Sequence, residues 1–98
     1  MRLDSNFIKE IILAMVKDDD YLINSHVLMA KLNIKGKDME RKFMGHILVL
    51  GDEGLIESIY SKFPFGFVNS VDGNYSIVDT GYRLTSKGYK MAEVLQNN

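Results

Sequence analysis

The sequence predicts an α+β domain that is mainly helical and carries one small antiparallel β-hairpin. Three observations lead there. Apolar residues recur at helical spacing from Phe7 to Val16 and again from Met39 to Leu50; two β-prone runs, Leu55 to Tyr60 and Tyr75 to Leu84, flank a stretch rich in turn residues; and Thr85 opens a final amphipathic segment. A chain of 98 residues has room for one core, so residues 1–98 are expected to form a single domain.

Each element has its own signal. Asp4 or Ser5 caps a first helix over about 5–17, whose apolar positions Phe7, Ile8, Ile11, Ile12, Met15 and Val16 follow the helical rule. Asp18, Asp19 and Asp20 lie at the negative end of its dipole and end it. Tyr21, Leu22 and Ile23 suffice for a short strand. Asn24 or Ser25 then caps a helix over about 26–32, with Val27, Met29, Ala30 and Leu32 as apolar contacts, and Asn33 to Lys37, containing Gly36, reads as a turn. Asp38 caps a third helix over about 38–51. Met39, Phe43, Ile47 and Leu50 form its buried stripe, Arg41, Lys42 and Gly45 point away from it, and Gly54 is the left-handed residue that closes it. The hairpin occupies about 55–84, with turn signals at Phe63-Pro64-Phe65-Gly66 and Asp72-Gly73-Asn74 and a small extra strand near Phe67 to Val71. Thr85 caps a closing helix over about 85–96 with Tyr89, Ala92 and Leu95 on one face. The order helix, strand, helix, helix, strand, strand, helix is that of a winged helix-turn-helix, the hairpin being the wing.

Composition narrows the function classes. Hydrophobic residues make up 46% and charged residues 26%, the balance of an ordinary globule. There are no cysteines, which excludes disulfides, thiolate metal sites and a cysteine nucleophile and points to a cytoplasmic location. The longest apolar run, Ile11 to Val16, falls far short of the ~20 residues of a membrane helix, and Asp4 and Glu10 interrupt the N-terminus where a signal peptide would need an apolar stretch. The net charge of -1 means that any binding to nucleic acid must rest on a local basic patch.

Three segments carry a resemblance. Met1-Arg2-Leu3-Asp4 leading into Ile8 to Leu13, the stretch GHILVLGDEGLIE from Gly45 to Glu57, and YRLTSKGYKMAEVL from Tyr82 to Leu95 resemble a frequently phage-associated winged-helix family of unknown function. Its members place a histidine, apolar residues and then GLI at the end of the third helix, and close with an RLTxxG junction. Those features fall on His46, on Gly54-Leu55-Ile56, and on Arg83-Leu84-Thr85 with Gly88. Ser86 and Tyr89 depart from the pattern, standing where the family carries Trp and His. The resemblance implies a phage or prophage setting and the winged-helix fold, and it implies no activity.

Two roles fit these residues. Lys35, Lys37, Arg41 and Lys42 cluster at the turn and on the third helix, where a recognition helix meets phosphates and base edges, and Lys62 near the wing base adds a further cation. Double-stranded DNA is the partner this pattern predicts, for a small transcriptional regulator. Asp38 and Glu40 lie among the cations and dilute their field. The alternative is a protein-interaction module forming a homodimer or binding another protein through Phe63, Phe65 and Phe67, three aromatics in five residues that otherwise fold back on the core. No catalytic grouping, metal site or cofactor motif is expected. His26 and His46 lack metal-ligand spacing, His46 beside the buried stripe reads as a packing residue, and Asp18 to Asp20 lack the alternation of a calcium loop.

Overall fold

Asp4 begins the first helix by accepting a hydrogen bond from the Phe7 amide at 3.1 Å, and α1 runs Ser5–Val16 in this computed structural model, which describes residues 1–59 and 62–97. Phe7, Ile11, Ile12 and Met15 are buried, and Ile8 and Val16 pack at the margin of the same cluster. The first strand, β1, is only Ile23–Asn24; Tyr21, expected within it, is 70% exposed. Asn24 caps α2, Ser25–Lys31, by accepting from the His26 amide.

The inward face of α2 differs from the expected one. Ser25, Leu28 and Met29 are buried, whereas Val27 and Ala30 are exposed. Ser25, Leu28 and Met29 form an i, i+3, i+4 series on one side of the helix, and Val27 lies off that side. Its end is a Schellman turn. Asn33 is left-handed at φ 56°, its amide donates to the Ala30 carbonyl, the Ile34 amide donates to the Met29 carbonyl, and the Ile34 side chain covers the core margin.

The third helix, α3, spans Lys37–Asp52. Two expectations about it are corrected. Gly36, at φ 83°, occupies the cap position without a side-chain hydrogen bond, and Asp38 instead lies in the first turn, where its charge complements the helix dipole. Met39 is 40% exposed, because the first turn of α3 overhangs the core; Phe43, Met44, His46, Ile47 and Leu50 make the buried face. Gly54 ends the helix as expected, left-handed at φ 73°, while the Leu55 amide returns to the Leu50 carbonyl and the Leu55 side chain is buried.

The β-prone regions divide into two small antiparallel sheets. Strand β2, Ile56–Ile59, pairs with β5, Gly81–Leu84, and β1 pairs with the other edge of β5, giving the order β1-β5-β2. The expected end of β2 at Tyr60 lies outside the described residues. A separate hairpin, β3, Phe67–Asn69, with β4, Tyr75–Ile77, projects from this sheet. The single run expected from Tyr75 to Leu84 is therefore broken at 78–80. Between β2 and β3 a 3-10 turn, Pro64–Gly66, holds Phe65 at φ 57°, a left-handed conformation that disfavours a bulky side chain.

Thr85 caps α4, Ser86–Gln96, by accepting from the Gly88 amide. Gly88 and Ala92 are buried and Leu95 is half-buried, while Tyr89, expected inside, is 42% exposed. The missing side chain of Gly88 lets α4 settle against the Leu55 carbonyl, so that Gly88 and Ala92, one turn apart, face the core. The helices and both sheets share one core, centred on Ile11, Ile12, Leu28, Phe43, Ile47 and Tyr82. Burying each such side chain contributes about 1.5 to 3 kcal/mol. The phenol of Tyr82 donates to the Phe65 carbonyl, and burial pushes its pKa up. Among the described residues no helix is long and apolar enough to cross a membrane.

Candidate nucleic-acid interface

The site is assembled from the α2–α3 turn, the first half of α3 and the β3–β4 hairpin. Lys35 and Lys37 stand exposed on the turn and at the start of α3, and no ion pair engages either among the described residues. Arg41 follows Lys37 by one helical turn, so both project from one side of α3. Its guanidinium lies 5.3 Å from the centre of the Tyr75 ring on β4 and donates to the Gly73 carbonyl at 3.3 Å. The Tyr75 hydroxyl in turn donates to the Glu40 carboxylate at 2.6 Å, and that bond raises the phenol's pKa above its ordinary 10.0. Helix and hairpin are thus joined side chain to side chain, and the hairpin tip stands on the same side as Lys37 and Arg41.

Lys42 is placed differently. It is exposed, but its ammonium binds the Asp4 carboxylate at 2.7 Å and lies 4.9 Å from the centre of the Phe7 ring. The lysine's hydrogen bond is the main reason the Asp4 carboxyl titrates below its ordinary 3.8. Residues before α1 therefore lie against α3. Beneath them His46 is fully buried, accepting from the Asp4 amide through Nε2 at 2.9 Å and donating from Nδ1 to the Lys42 carbonyl at 2.8 Å. Its ring meets Phe7 edge-on at 5.1 Å. Both nitrogens are committed, so His46 packs and pins the chain start.

Lys62 is not brought to this cluster. It lies over the Phe63 ring, 5.8 Å from its centre, just before the turn that seats Phe65 against Gly51. Gly51 is ten residues beyond Arg41, roughly 15 Å further along the helix. The three phenylalanines also separate. Phe67 is buried and packs edge-on to Phe43, while Phe65 is half-buried, with its ring against Gly51 and Tyr82. Only Phe63 is exposed, at 38%. Two of the rings expected at an interface thus complete the domain's own core.

The hairpin tip, residues 70–74, is held by its own polar groups. Asp72 accepts from the Ser70 hydroxyl and from the Asn74 amide, and the serine bond is the chief reason its carboxyl titrates low. The tip carries no lysine or arginine, and Val71 is fully exposed. Arg83, on β5, is occupied by Glu57 directly opposite on β2. Asp18 pairs with Lys31 at 3.2 Å, and among the described residues no group of three or more histidines and acids is placed to hold a metal ion.

The sequence pointed to the cations of this face, to Glu40 only as a charge that dilutes their field and to Gly73 only as a turn residue, but not to the bonds that join Glu40 and Arg41 to Tyr75 and Gly73. Tyr75 carried a weak signal, an aromatic in a strand alternating with Ile77, yet its partner lies 35 residues away. Comparison with models of known protein families, with curated proteins and with solved structures finds no match.

Proposed function

We propose that this chain is a winged-helix domain that binds double-stranded DNA as a small transcriptional regulator, with α3 as the recognition helix and the β3–β4 hairpin as the wing. The observation that carries this reading is the contact between the wing and the first turns of α3. The Arg41–Gly73 and Tyr75–Glu40 bonds hold the wing against the first turns of α3, the helix that Lys37 begins and Lys35 precedes, which suits an element that enters a groove with a second one at the flanking phosphates. Lys35 and Lys37 supply the phosphate contacts, together with the first amides of α3, which no side chain caps.

The reading implies modest affinity with a shallow salt dependence. Two phosphate contacts give a slope of log K against log salt of about -1.8. Retention of mixed-sequence duplex DNA across a salt series, with Lys35→Ala and Lys37→Ala beside the parent, tests it. Each substitution is expected to reduce the slope by about 1. A parent that is not retained at low salt, or variants that match it, would contradict the proposal.

One observation favours a protein partner instead. The middle of the outward face of α3 is apolar: Met1 lies over Gly45, and Leu48, one turn on, is 38% exposed. Under this second reading Leu48→Asp abolishes partner binding, whereas the lysine substitutions leave it intact.

A further inference from the structure

Of the cations on the proposed DNA-binding face, Arg41 alone is bonded to the wing. The Arg41 guanidinium both lies over the Tyr75 ring and donates to a main-chain carbonyl at the hairpin tip, while the tyrosine hydroxyl is anchored one residue back along α3, on Glu40. Two strands of three residues each form an isolated ribbon, and such a ribbon is marginal in water without packing against another element. At its base the hairpin is fixed by Phe67 in the core and by the Val78 amide donating to the Gly66 carbonyl at 2.7 Å. Towards its tip, among the described residues, its hydrogen bonds to the rest of the domain come from Glu40 and Arg41.

We infer that Arg41 and Tyr75 are positioning residues: they hold the wing at a fixed angle to α3, and Arg41 is spent on this bridge rather than on reading a base. The inference rests on the DNA-binding reading and adds to it a division of labour. Lys35 and Lys37 meet the nucleic acid. Arg41, Tyr75 and Glu40 set the distance between the two elements that grip it. Pre-setting that distance removes an ordering cost that a mobile wing would incur at each binding event.

The chemistry of the bridge makes it testable by conservative changes. Lysine keeps the charge of Arg41 but has neither the flat group that lies over the ring nor the fork that reaches Gly73. Phenylalanine keeps the ring of Tyr75 and removes the hydroxyl. Glutamine at position 40 keeps an acceptor for that hydroxyl.

The experiment measures amide hydrogen exchange in the free protein and duplex binding across salt, for the parent, R41K, R41A, Y75F and E40Q. In the free protein R41K and Y75F are expected to speed exchange at the Ser70 and Gly73 amides about tenfold, the size of one lost charged hydrogen bond, with the amides of α1 and α4 unchanged. E40Q remains within about threefold of the parent. In the binding arm R41K and Y75F weaken duplex binding several-fold, while the salt slope stays at the parent value, because no phosphate contact is removed. Two results would overturn the inference. One is hairpin exchange equal to the parent in both R41K and Y75F. The other is a salt slope that falls by about 1 in R41A with Y75F binding like the parent, the signature of a direct phosphate contact. A parent that fails to bind duplex removes the DNA-binding reading and with it the role of the bridge in binding, while the exchange arm still reports whether the bridge holds the wing.

Discussion

Gly45 and Gly88 are both helical glycines without room for a methyl group, but their neighbours differ in kind. A Cβ at Gly88 would lie 2.1 Å from the Leu55 carbonyl oxygen, which belongs to the backbone joining α3 to β2. A Cβ at Gly45 would meet the Met1 side chain, with the sulfur 2.4 Å away, and Met1 is 74% exposed and free to swing aside. Gly88→Ala is therefore expected to destabilise by about 1 to 3 kcal/mol through overpacking. Gly45→Ala is expected to be neutral or to stabilise by up to about 1 kcal/mol, since alanine is the better helix former. Thermal melts separate the two, at several degrees per kcal/mol for a chain of this size. Equal losses in both variants would show that Met1 is held as firmly as the backbone.

At the scale of elements, the break between β4 and β5 decides the architecture, and a second polar knot holds it. Asp79 lies in that break. It accepts from the His26 ring at 2.7 Å and the Ser25 hydroxyl at 3.3 Å, and the buried Ser25 hydroxyl accepts from the Thr80 amide. A hydrogen bond from Asn24 is the largest cause, and His26 the next, of an Asp79 pKa below 3.8. A carboxyl depressed in the folded state stabilises above its unfolded pKa and loses that contribution as the pH falls through the folded value. Stability should accordingly drop below about pH 4, and Asp79→Asn should narrow the difference between pH 6 and pH 3. The change is at most about 1 kcal/mol, because Asp79 is more than half exposed. Denaturant titrations at the two pH values measure it, and an unchanged difference in the variant would remove Asp79 as a contributor. This knot also marks the limit of what the sequence discloses. The four helices were legible because 3.6-residue spacing and local caps such as Asp4, Asn24 and Thr85 are encoded within a few residues. The division of residues 75–84 between two sheets was not, because β-propensity is continuous there while the pairing is set by Ser25 and Asp79, which lie 54 positions apart. The choice for Phe65 and Phe67 between an interface and the core stayed open for the same reason: the surroundings that receive them are built by Gly51, Phe43 and Tyr82 from other elements.

For the whole molecule, a net charge of -1 makes the location of the cations matter more than their number. Lys42 is bound to Asp4, Arg83 to Glu57, Lys31 to Asp18 and Arg41 to the β3–β4 hairpin, which leaves Lys35 and Lys37 at the junction of turn and helix as the cations turned outward on this face. The sequence revealed that basic cluster, yet the sorting of its members into bridging and outward-facing residues appears only when the hairpin is in place. Amide chemical-shift mapping of the labelled protein with a short duplex at low salt tests this account most directly. Shifts are expected at Lys35 to Glu40 and at Ser70 to Asn74, with α1 and α4 silent. Shifts centred on α4, or none at all, would contradict it.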